Sequence, residues 1–151
     1  MNGARPKAGK NCTHVKTFVD TNILVYAYDR GAGPKHERAR AAVEKLWHDG
    51  NGVVSVQVLQ EFYVNVRRKA RKPISPEQSR QLISDYLAWN PVINDGAILL
   101  AAMEIEKRFM LSFWDAMIVA AALKTGADIL LSEDFNSGQV FDQVTVKNPF
   151  I

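Results

Sequence analysis

With 151 residues, 47% of them hydrophobic and 23% charged, the chain is long enough for one domain with its own core and too apolar to be intrinsically disordered. Its formal charge of +3 is concentrated in Arg5, Lys7, Lys10 and Lys16; setting these four aside leaves 15 of the 19 basic residues against 16 acids, so overall basicity gives no argument for nucleic acid. No apolar run approaches the roughly 20 residues of a membrane span, and the bases of "MNGARPKAGKNCTHVK" are followed by no apolar stretch of a secretory signal.

Residues 1–15 are expected to form a flexible N-terminal extension, and residues 16–151 a single domain. In chain order, "KTFVD" (16–20) reads as a short strand ending in an acid, and "TNILVYAYD" as the start of a helix. "GAGP" (31–34) is loop. Ala39, Val43, Leu46 and Trp47 fall at helical spacing, which predicts an amphipathic helix over 35–49 stopped near Gly50. "GVVSV" (52–56) is a candidate buried strand, followed by a helix with Val58, Leu59, Phe62 and Val66 on one face and running to about Arg71. "SPEQ" (75–78) places Ser75 at an N-cap, Pro76 at N1 and Gln78 at N3, the start of a helix whose buried side holds Leu82, Ile83 and Tyr86. "PVI" (91–93) is a brief strand candidate, and Asp95 can cap the helix "GAILLAAMEIEKR".

The segment "LSFWDAMIVAAAL" (111–123) has no polar face, so it should be a buried helix, closed by Gly126. "ADILLS" (127–132) is a strand, "EDFNSGQ" a polar loop and "VTVKN" a last short strand. Short apolar strands separated by helices predict an α/β fold, a three-layer sandwich with a short central, mainly parallel sheet flanked by helices.

Four carboxylates are expected at one edge of that sheet. Ligands of open α/β sheets bind beyond the carboxyl ends of the strands. Asp20 ends the first strand, and Ser132 and Asp134 follow the strand 127–131. Asp115 begins the helix that feeds that second strand, so it starts at the same edge. Glu61 lies about 110° from the centre of its helix's apolar stripe, on a flank that touches both core and cleft, and Asn65 shares that flank. Each acid also has a plain structural reading. Asp20 can cap the next helix, Asp134 can be turn chemistry, Glu61 can be a solvated helix residue, and Ser112 with Asp115 forms a near capping box. An acid in a first helical turn is worth only about 0.3–1 kcal/mol. The grouping favours the functional reading, because clustered carboxylates raise one another's pKa and a divalent cation removes that repulsion. Mg2+ and Mn2+ suit carboxylate oxygen and water.

Other chemistry finds little support. Cys12 is the single cysteine, which excludes an intrachain disulfide or a cysteine metal cage and leaves a reducing, cytoplasmic compartment as the expectation. His14, His36 and His48 show no H-x-x-x-H spacing and are expected to be solvated. There is no P-loop, no G-x-G-x-x-G and no G-x-S-x-G. "RRKARK" (67–72) reads first as a solvated helix end and second as a phosphate-contacting patch.

In order and spacing, "FVDTNILVYAYD", "SVQVLQEFYVNV", "LSFWDAMIVAAAL" and "ILLSEDFNSGQ" resemble the motifs of PIN-domain ribonucleases, specifically the VapC-type toxins of bacterial toxin–antitoxin pairs. The resemblance covers about residues 16–151. It implies a PIN-like fold and metal-dependent endoribonuclease activity that leaves a 5′-phosphate and a 3′-hydroxyl. By that resemblance Asp20, Glu61, Asp115 and Asp134 are the catalytic acids around one or two Mg2+ or Mn2+ ions. Asp20 and Asp115 would be the principal ligands, with Glu61 and Asp134 ligating a second ion or acting through water. Asn22, Ser112 and Ser132 match polar positions lining the site. An RNA substrate, a cognate antitoxin protein and a homodimer are implied, with no membrane. Two alternatives stand beside this reading: a Mg2+-dependent phosphatase or phosphotransferase, and a non-catalytic RNA- or partner-binding module whose acids are structural.

Overall fold

The computed structural model describes residues 15–151, and the expectations for the N-terminal extension, Cys12 and His14 lie outside the described residues. Five strands form one sheet: β1 (Thr17–Val19), β2 (Gly52–Val53), β3 (Ile129–Leu131), β4 (Val140–Phe141) and β5 (Val144–Lys147). Their spatial order is β2-β1-β3-β5-β4, parallel throughout except for the β4–β5 hairpin. Six helices surround it: α1 (Thr21–Tyr28), α2 (Pro34–Asp49), α3 (Val56–Arg68), α4 (Pro76–Tyr86), α5 (Gly96–Phe109) and α6 (Phe113–Lys124).

The chain leaves β1 for β2 on one side and then crosses back past β1 to β3 on the other. Right-handed crossovers in opposite directions place their helices on opposite faces of the sheet. Thus α1 packs on α2 and α5 on α6, with no close packing between the two pairs, while α3, the first helix of the second crossover, still packs on α1. The reversal also makes the gap between the carboxyl ends of β1 and β3 the topological switch point.

Local chemistry accounts for the helix boundaries. Ser55, Ser75, Asp95 and Ser112 each cap a helix by accepting a backbone N–H three residues on. Helix α6 ends in a Schellman arrangement, with the Ala127 N–H on the Ala122 carbonyl and the Gly126 N–H on Leu123, and Gly126 takes φ +73°. Ala116–Ala122 of α6 are buried without interruption, as an all-apolar helix requires.

Four local expectations change. "GVVSV" gives only Gly52–Val53 to the sheet, because Ser55 is already the α3 cap. "PVI" is reduced to one parallel bridge between Val92 and Ser55. Helix α3 stops at Arg68, and the N–H groups of Arg71 and Lys72 go instead to the Asp29 carboxylate. His36 is buried, with Nδ1 2.9 Å from the Tyr26 carbonyl oxygen, where a solvated ring was expected.

Candidate active site

Strand β1 delivers Asp20 to the switch point, where it is 4% exposed. Its Oδ1 accepts the Thr21 N–H at 2.7 Å, so it does cap α1. Its Oδ2 accepts the hydroxyl of Ser132, fully buried at the end of β3, also at 2.7 Å. The same Ser132 oxygen accepts the Asp134 N–H at 3.0 Å. One serine thus fixes the acid after β1 and the loop after β3 to each other.

Glu61, half-buried on α3, joins from the α1 side. The Thr21 hydroxyl donates to its Oε2 at 2.6 Å, and the Gln57 amide donates to Oε1 at 3.1 Å. Asn94 in turn donates to Gln57 at 2.9 Å. Sequence reasoning missed Thr21, Gln57 and Asn94; only Gln57 left a local signal, standing four residues before Glu61 on the same helical flank. Asp115 lies half-buried in the first turn of α6, and its N–H donates to Ser112 at 3.2 Å. Ser112 itself is exposed, its hydroxyl engaged as the helix cap.

Electrostatics tie the four acids together. Burial above all, opposed by the Ser132 and Thr21 donors and aided by the Asp134 and Glu61 charges, raises the Asp20 carboxyl from its ordinary 3.8 to about 7. Asp134, more exposed, is also raised, first by partial burial and then by the charges of Asp115, Glu133 and Glu61. The Asn22 side chain lies near enough to Asp134 to oppose that rise, yet both its amide atoms are buried without a hydrogen-bond partner. Nearby Glu133 is matched by Lys35 and Tyr26, each donating at 2.7 Å.

The PIN-domain family model matches residues 17–145. The chain belongs to the PIN-domain family. Three solved structures share its fold. A toxin–antitoxin complex from Klebsiella pneumoniae is 18% identical with a TM-score of 0.63, the match covering 89% of this chain and 98% of that one. VapC20 of Mycobacterium tuberculosis, described as a sarcin-ricin loop cleaving toxin, is 19% identical with a TM-score of 0.56 over 79% of this chain and 90% of its own. VapBC2 of Rickettsia felis, bound to a promoter DNA fragment, is 18% identical with a TM-score of 0.59 over 89% and 98%. Among curated proteins no significant match is found.

All seven candidate residues of this PIN domain fall inside the family match. The donor set fits a divalent cation on three counts. The charges of neighbouring carboxylates add to burial in raising Asp20 and Asp134, and none of Asp20, Glu61, Asp115 and Asp134 has a basic partner among the described ion pairs. The Asn22 amide is left orphaned beside them. All the groups offer hard oxygen, the preference of Mg2+ and Mn2+. Among the described residues no three His, Cys, Asp or Glu side chains are drawn tightly enough together to hold an ion directly. Hydrogen bonds from Thr21, Gln57 and Ser132 keep Asp20 and Glu61 of this PIN domain in place instead, which suits an ion that keeps several waters.

Proposed function

We propose that this PIN domain is a metal-dependent endoribonuclease, hydrolysing RNA phosphodiester bonds as the toxin of a type II toxin–antitoxin pair. The observation that carries the reading is the buried Asp20, raised to about 7 by burial and by its neighbours Asp134 and Glu61 at the switch point. A carboxylate cluster so costly is retained where an ion offsets it. Asp20 and Asp115 would hold Mg2+ or Mn2+ directly, with Glu61 and Asp134 completing the set. When bound, such an ion activates water and neutralises charge at the phosphate.

The chain's own residues do the positioning. Ser132 and the Thr21 N–H fix both Asp20 oxygens, which suits an oriented ligand and not a free carboxylate nucleophile. Thr21 and Gln57 do the same for both Glu61 oxygens. Asn22 offers an unspent amide to the substrate phosphate or its water. The fold neighbours described as toxin–antitoxin components support a cognate antitoxin as partner, and the family resemblance supports a homodimer. No described helix is long and apolar enough to cross a membrane. Action on RNA as a toxin supports a cytoplasmic site of reaction.

The test is cleavage of an unstructured RNA with Mg2+ or Mn2+ and its loss in EDTA. Failure to cleave any RNA at high enzyme and Mn2+ would overturn the nuclease reading in favour of a binding module. Release of phosphate from monoesters alone would favour the phosphatase.

A further inference from the structure

Helices α1 and α3 leave the acid cluster side by side and in the same direction. The Thr21 hydroxyl at the start of α1 is bonded to Glu61, midway along α3. Beyond their ends Asp29 holds the N–H groups of Arg71 and Lys72. Between them runs an open cleft of about 640 Å³, bounded on the α1 side by Asn22, Val25 and Tyr26 and on the α3 side by Asn65 and Lys69. Asn22 belongs to the acid cluster, while Lys69 and Arg71 also line the cleft. Along α3 the order Glu61, Asn65, Lys69 advances four residues at each step, so Lys69 stands about 12 Å along the axis from Glu61.

Two cations of this cleft are unpaired, and the backbone that carries them is anchored. Lys69 and Arg71 make no ion pair among the described residues, whereas Lys35, which also lines it, is spent on Glu133. Their segment is anchored: the Ala70 N–H donates to Asn65, and Asp29 takes the next two N–H groups. Gly31 passes so close that a Cβ placed there would lie 2.6 Å from the Arg71 Cβ. Two other bases of the run are engaged elsewhere. Arg67 stacks on Tyr63, and Lys72 lines a separate cavity with Arg30 and Arg40.

We propose that the α1–α3 cleft is a subsite for the RNA backbone. In it Lys69 and Arg71 hold phosphate oxygens of the strand beyond the bond that is cut, and the Asn65 amide contacts the strand between. The proposal rests on the nuclease reading and adds to it the path of the substrate. Phosphate contacts of this kind confer affinity and register, not sequence choice.

The test compares two double variants of the full chain that lose the same charge, Lys69→Gln with Arg71→Gln and Arg68→Gln with Lys72→Gln. Binding of an unstructured RNA oligonucleotide is followed by fluorescence anisotropy in EDTA over a range of salt, and cleavage is followed with Mn2+. The first pair should weaken binding about tenfold and lower the salt slope by about 1.4, two single-strand phosphate contacts. It should raise KM and leave kcat unchanged. The second pair should retain most of the wild-type slope. Equal losses in both pairs would overturn the subsite in favour of diffuse charge. No loss in either, with wild-type cleavage intact, would also overturn it and leave the cleft to a protein partner. If wild-type protein neither binds nor cleaves RNA, the nuclease reading fails and the subsite falls with it.

Discussion

The hydroxyl of Ser132 donates to Oδ2 of Asp20 at 2.7 Å, joining two buried residues that are 112 positions apart in sequence. This bond holds Asp20 in one orientation and favours its charged form against burial. Ser132→Ala removes the donor, so the Asp20 carboxyl should rise still further. Cleavage at pH 7 should fall by about tenfold or more, the effect of losing one hydrogen bond to a charged group. Activity should recover in part toward pH 9, and Ser132→Thr should keep most of it. A pH–rate profile of the alanine variant superimposable on wild type would show that the bond does not tune Asp20.

Asp20 also predicts how stability follows pH. Its folded pKa, about 7, lies above the ordinary 3.8, so the folded state binds the proton more tightly than the unfolded chain. Stability is therefore greatest below about pH 4 as far as this group is concerned, and is lost as pH rises toward 7. The full shift corresponds to about 4 kcal/mol. In EDTA the urea midpoint should be higher at pH 5 than at pH 8, and Asp20→Asn should flatten the difference. Adding Mn2+ at pH 8 should recover stability through ligand linkage. A slope unchanged in Asp20→Asn would assign the effect to other groups.

Asp115 separates the capping role from the functional one. Its N–H is held by Ser112, while its charge raises Asp134. Asp115→Asn keeps the N–H and Ser112 cap and removes the like-charge contact. Hydrolysis should be abolished, while the fold in EDTA stays as stable as wild type or becomes more so. A sharp fall in melting temperature in EDTA with cleavage intact would restore Asp115 as a helix-start residue and nothing more.

These relations were unequally legible in the sequence. The acids after β1 and β3 could be placed because each follows an apolar run, and α6 because it has no polar face at all. Glu61 was readable from its angle to the apolar stripe of α3. Strand β4 was not, since two residues in an antiparallel hairpin carry no periodicity. The bridge at Val92 misled for a related reason: three apolar residues look the same whether they form a ladder or a single contact. Burial of His36 depends on the Tyr26 carbonyl ten residues earlier, and no pattern in its own helix announces it. Thr21 and Ser132 act across 40 and 112 positions. Separations of that kind become visible only once the sheet order is known.

Asp29 is a second buried acid, and its pH response has the opposite sign. Burial alone would push its carboxyl up, but the N–H groups of Lys72, Arg71 and Gly31, at 2.9–3.0 Å, outweigh that and leave it below the usual carboxylate value. The stability it contributes is thus present above the unfolded pKa, about 3.9, and is lost as pH falls below it. Asp29→Asn turns an acceptor into a donor facing a backbone N–H, and should cost about 2–3 kcal/mol at pH 7. The gap between wild type and variant should narrow in urea melts below about pH 4, while the Asp20 contribution has already reached its maximum there. Because Asp29 fixes the segment carrying Lys69 and Arg71, the folded variant should also show a raised KM for RNA with kcat near wild type. A gap independent of pH, or a loss confined to kcat, would remove Asp29 from the role of holding this loop.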